Sequence, residues 1–115
     1  MNNLTVTGLV ATTPRHLVTA DGLPITSFRL AVATKENHTN WYTVTAFRQI
    51  AVNAAVSISK GDRVVVTGDL RVRDWDNGER AGTSVEIEVT ALGHDLAYGS
   101  SVFTKTVFVK EADNA

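Results

Sequence analysis

Apolar and polar side chains alternate with a period of two along nearly all of this chain, and the pattern gives way to a helical period only once. Such alternation is the mark of strands with one buried face. Leu4, Val6, Gly8 and Val10 share a face, with Thr5 and Thr7 opposite. After Pro14, a short apolar pair, Leu17 and Val18, leads to a turn at Asp21-Gly22. A second strand alternates Phe28, Leu30 and Val32 with Ser27, Arg29 and Ala31, and a polar loop, Lys35–Thr39, leads to a third at Asn40–Phe47. The helical stretch is Gln49–Ser59, where Ile50, Ala54 and Ile58 fall four apart and Lys60-Gly61 reads as a closing cation and a left-handed cap. Alternation resumes over Asp62–Arg73, with Val64, Val66, Gly68, Leu70 and Val72 inward. It ends in a fifth strand, Thr83–Leu92, after a hairpin turn at Asp76-Asn77-Gly78.

Three strands, one helix and two strands predict an all-β fold: an OB-fold, a five-stranded Greek-key barrel with one helix between strands three and four. The barrel is expected over 1–92 and a C-terminal extension over 93–115. Within the extension Val102–Lys110 alternates again and predicts an extra strand. After a complete barrel it has two uses, pairing with a neighbouring subunit or folding back along an edge of its own barrel.

A chain of 115 residues with 43% hydrophobic and 20% charged side chains fits one folded domain and not a disordered segment. It has no cysteine, which excludes disulfides, thiolate metal sites and a cysteine nucleophile, and His16, His38 and His94 lie too far apart for metal-ligand spacing. Apolar runs are too short to cross a membrane, and Met1–Val10 does not read as a signal peptide, so a cytoplasmic protein is expected. No cofactor motif appears. His94-Asp95 lacks a nucleophile or metal partner, so no catalytic residue is expected. Net charge is −1, but unevenly spread: residues 1–60 hold five basic and two acidic side chains, residues 61–115 six and ten. An anionic partner would have to be held on a local patch.

Such a patch is suggested by where the aromatics point. On the third strand Tyr42, Val44 and Ala46 take the core face, which leaves Trp41, Thr43, Thr45 and Phe47 outward. On the fourth, the outward face runs Asp69, Arg71, Arg73 to Trp75. Large outward aromatics beside arginines suit unpaired bases, which stack on them with little sequence preference while cations hold the phosphates. Lys35, Arg48 and Arg80 extend that path. Phe28 is expected in the core and Tyr42 in the core or a subunit interface, whereas Asp74 and Asp76 beside Trp75 repel phosphate.

The ordered segments Leu4–Gly8, Phe28–Ala31, Asn40–Val44 through Phe47, Lys60–Val64 and Gly68–Trp75 resemble the bacterial single-stranded DNA-binding proteins over about Asn3 to Leu92. That resemblance implies cytoplasmic, nucleoid-associated homotetramers that protect single-stranded DNA in replication, recombination and repair, without enzymatic activity, cofactor or metal. Trp41, Phe47 and Trp75 match the family's stacking aromatics. Arg71, Arg73 and Lys60 match basic positions along its DNA path. In one branch of the family a strand after the barrel clasps the neighbouring subunit, which is the expectation for 101–110.

Three departures matter. Thr34 and Lys35 stand where many members carry a further stacking tryptophan, the Lys35–Thr39 loop is short, and the chain closes on Glu111–Ala115 without a long linker and acidic tip. Two readings stand: a longer native tail has been truncated from this sequence, or the chain is a paralogue specialised away from recruiting repair proteins through an acidic tail. The alternatives are a specialised paralogue of this family, or an OB-fold protein-interaction module whose outward aromatics bury against a partner chain.

Overall fold

The computed structural model describes residues 2–107. Its elements are β1 (Asn3–Val10), β2 (Arg15–Val18), β3 (Pro24–Ala33), β4 (Thr39–Phe47), α1 (Arg48–Ser57), β5 (Arg63–Asp76) and β6 (Ala81–His94). The sheet order is β1-β5-β6-β4-β3-β2, and β1 also pairs with β3 through Leu9–Ala31 and Val10–Leu30. That extra pairing closes β1, β5, β6, β4 and β3 into a five-stranded barrel, the OB-fold. All neighbours are antiparallel except β4 and β6, which run parallel.

The alternation builds the core directly. Val10, Leu30, Val44, Val64, Val66 and Ile87 are fully buried, and Phe28 joins them, as its parity requires. Fully burying side chains of this size contributes about 1.5–3 kcal/mol each. Two glycines are dictated by the barrel's tightness. A Cβ on Gly8 would stand 2.5 Å from the Ala31 carbonyl oxygen and one on Gly68 2.1 Å from that of Glu88. Gly68 sits where the β5–β6 register shifts, and that irregularity bends the strands around the barrel.

Helix α1 lays Ala51 and Ala54 against the core, and their small side chains let it approach β3 and β4 closely. Thr26, the one buried polar residue of the described core, fixes that approach by donating its hydroxyl hydrogen to the Ala51 carbonyl at 2.7 Å. That hydroxyl can then only accept from His16 Nδ1, 2.7 Å away, which sets the imidazole tautomer. Through His16, β2 is tied to β3 and the helix.

Several expectations need correction. β2, not predicted as a strand, hairpins onto β3 through a turn in which Gly22 takes φ 88°, as Asp21-Gly22 suggested. Gly61 is left-handed at φ 95° but does not cap the helix, which ends on an extended Ile58. Gly61 instead turns the chain into β5, its N–H donating to the Val10 carbonyl at 2.8 Å. Val72 is 61% exposed and outside the core, because the distal half of β5 and the first residues of β6 project beyond the barrel as a two-stranded arm. The predicted C-terminal strand falls on Val102–Lys110. Of this, 102–107 form no ladder with the chain's own sheet, Val102, Phe103 and Val107 are exposed, and Thr106 bonds to Asn53 of α1; 108–110 lie outside the described residues. No helix among the described residues is long and apolar enough to cross a membrane.

Candidate nucleic-acid interface

The registers assemble the outward residues of four strands into two rungs. Arg29, Thr43, Glu86 and Arg71 stand side by side across β3, β4, β6 and β5, and Ser27, Thr45, Glu88 and Asp69 form the next rung. Trp41 lies two residues before Thr43 on the same face, Phe47 two after Thr45, and Trp75 four beyond Arg71. At about 3.3 Å per residue, Trp41 and Phe47 stand about 20 Å apart along one strand. The face is therefore long enough to meet several successive bases.

Trp41 is 49% and Trp75 44% exposed, and Phe47 is partly buried. None of the three enters the core, although each carries more apolar surface than the valines that do. The Arg29 guanidinium lies 5.5 Å from the centroid of the Trp41 ring, within cation–π range. Trp75 faces Gly82 across the β5–β6 ladder, in a shallow depression that Asp74, Asp76 and Thr83 also line. Phe47, Arg71 and Arg73 line a second depression together with Thr45, Glu86 and Glu88.

The two central arginines are already paired. Arg71 Nη2 lies 2.9 Å from Glu88 Oε1 and Arg73 Nε 3.4 Å from Glu86 Oε1. Both pairs run diagonally, each arginine reaching past its opposite number to the next glutamate on β6. Sequence alternation put these four side chains outward but did not reveal that they neutralise one another.

The remaining basic candidates lie off the rungs. Lys35 is in the β3–β4 loop, Lys60 in the α1–β5 connection and Arg80 in the β5–β6 turn, all exposed. The Arg80 turn is held by Asn77, whose side-chain oxygen accepts from the N–H groups of Glu79 and Arg80 at 3.1 and 2.8 Å. Arg48 follows Phe47 directly, at φ 62°, where β4 turns into α1 without a loop. No ion pair involves these four among the described residues. Arg29 is the residue that sequence reasoning missed as a candidate. Its parity with Ser27 and Ala31 gave its face, but its place beside Trp41 depends on the β3–β4 register.

His94 pairs not with Asp95 but with Asp62, its Nε2 3.0 Å from Asp62 Oδ2. The same carboxylate oxygen accepts from the Ser59 N–H at 2.9 Å. The Ser59 bond chiefly holds the Asp62 carboxyl below its ordinary value; burial opposes it, and the hydrogen bond and charge of His94 add to the lowering. This cluster ties the helix exit to the end of β6, away from the rungs. Among the described residues no group of three His, Cys, Asp or Glu side chains is placed to hold a metal ion.

The barrel and its aromatic face define a member of a known class. The model of the single-strand binding protein family matches residues 1–95, and the chain belongs to that family. It is 51% identical over 118 residues to single-stranded DNA-binding protein 2 of Tropheryma whipplei (strain Twist), covering 94% of this chain and 78% of that one. Single-stranded DNA-binding protein 1 of Streptomyces coelicolor is 43% identical, over 86% of this chain and 69% of its own. The crystal structure of a small single-stranded DNA-binding protein from Streptomyces coelicolor superposes with a TM-score of 0.77 at 44% identity, covering 84% of this chain and 96% of that one. The second single-stranded DNA-binding protein of Mycobacterium smegmatis gives 0.74 at 31%, covering 90% and 98%.

Proposed function

We propose that this chain binds single-stranded DNA with little sequence preference and protects it during replication, recombination and repair, as a non-enzymatic homotetramer at the nucleoid. Bases stack on Trp41, Phe47 and Trp75, while Arg71, Arg73, Lys60, Arg48, Lys35 and Arg80 hold phosphates. The observation that carries this reading is the outward face itself, where large aromatic rings stand half-exposed on a surface otherwise made of threonines and charges. Leaving two indoles in contact with water costs apolar burial and is explained by a ligand with π-faces. Arg29 joins the set through its contact with Trp41. The relatives' names support the ligand, since each is called a single-stranded DNA-binding protein.

The tetramer is supported by the exposed Val102, Phe103 and Val107, which among the described residues pair with no strand of their own chain and would find one on a neighbouring subunit. Binding is tested by fluorescence anisotropy with a labelled oligo-dT and a duplex of equal length. Tight binding of dT and weak binding of the duplex is expected. Equal binding of both, or of neither, contradicts the reading.

A further inference from the structure

Resting on that reading, we infer that Glu86 and Glu88 act as built-in phosphate mimics, positioning residues that occupy Arg71 and Arg73 until a nucleic-acid backbone displaces them. Three observations carry this. Both arginines already contact carboxylate oxygens, at 2.9 Å for Arg71 to Glu88 and 3.4 Å for Arg73 to Glu86. The glutamates belong to the candidate face itself, lining the same depression as Phe47 and both arginines. With Asp69 in the second rung, the face sets three carboxylates against Arg29, Arg71 and Arg73, so it carries no net charge.

The Arg71–Glu88 pair adds little to the fold, its side chains being 55% and 43% exposed, whereas Arg73–Glu86 joins an exposed guanidinium to a carboxylate only 26% exposed, at the longer distance of 3.4 Å. What the glutamates change is the binding reaction. When a phosphate takes an arginine from its glutamate, the freed carboxylate recaptures a cation from solution. The counterion released from the DNA is then largely given back, and the contact loses most of its salt dependence. At the centre of the face affinity then rests on base stacking, which a strand offers only when its bases are unpaired. Lys35, Lys60, Arg48 and Arg80 keep the salt dependence of ordinary phosphate contacts. A protein with net charge −1 thereby selects its ligand by exposed bases more than by charge.

The test measures oligo-dT binding to the full chain across a salt series for wild type, Glu86→Gln, Glu88→Gln and both together. Each single variant is expected to bind about two- to fivefold more tightly at low salt. The slope of log K against log salt should steepen by about 0.7 per glutamate replaced. Thermal midpoints taken alongside identify any loss of fold, and the Arg71→Gln background separates local competition from a general charge effect. There, Glu88→Gln should no longer improve binding. Unchanged or weaker binding by folded Gln variants, or a Glu88→Gln gain that survives without Arg71, overturns the inference while leaving single-strand binding intact. Failure of the wild type to bind dT overturns both.

Discussion

Trp75 stands opposite Gly82 across the β5–β6 ladder, and its indole fills the space that a side chain at position 82 would occupy. A Cβ there would lie 2.7 Å from Cζ2 of the ring. Gly82→Val must therefore push the indole off the sheet. Because the arm is exposed, the thermal midpoint should stay nearly constant. Affinity for oligo-dT should fall about tenfold, as for Trp75→Ala, if one stacked base is lost. Titration of both variants checks this, and an unaltered affinity would detach Trp75 from the ligand.

Core and face should separate cleanly. Trp41→Ala is expected to cost about 1–3 kcal/mol of DNA binding and little stability, since the ring is 49% exposed. Leu30→Ala, at a fully buried position, is expected to cost about 2–5 kcal/mol of stability. Chemical denaturation and dT titration of the two variants distinguish the roles.

Gly68 is the position where one added methyl does most harm. Its Cβ would stand 2.1 Å from the Glu88 carbonyl oxygen, and backbone there cannot yield without breaking the β5–β6 ladder beside the register shift. Gly68→Ala should destabilise the barrel by roughly 2–4 kcal/mol, although alanine suits a strand better than glycine on entropy alone. Urea unfolding measures it.

The strand parity that places Leu30 inside and Trp41 outside was legible in the sequence, because a period of two needs no knowledge of neighbours. So was the turn chemistry at Asp21-Gly22 and Asp76-Asn77-Gly78. β2 was not, since its four residues are all exposed and only Leu17 and Val18 are apolar. Val72 kept the correct parity and still missed the core, because parity does not say where a strand leaves the barrel. The Arg71–Glu88 and Arg73–Glu86 pairs depend on a ladder between segments some fifteen residues apart whose register shifts at Gly68, and local pattern carries none of that.

Asp62 predicts an acid limb of stability. Its carboxyl titrates below its ordinary 3.8 because the folded state offers the Ser59 N–H and His94 to the charged form. The unfolded chain therefore takes up the proton first. The contribution is complete above the ordinary value and fades as pH falls through the lower, folded one. Asp62→Asn should be less stable at neutral pH, by about 1 kcal/mol, and should lose less stability between pH 5 and pH 3. Thermal midpoints over that range decide it.

Contact between the half-exposed rings and bases is read out by intrinsic fluorescence, because Trp41 and Trp75 are the protein's two tryptophans. Oligo-dT is titrated into the wild type, Trp41→Phe and Trp75→Phe, with duplex as control. Strong quenching by dT is expected in all three proteins and little by duplex, each single-tryptophan variant reporting its own stacking platform. Emission indifferent to dT in both variants would mean that neither indole touches the strand, and the aromatic face would have to serve another partner.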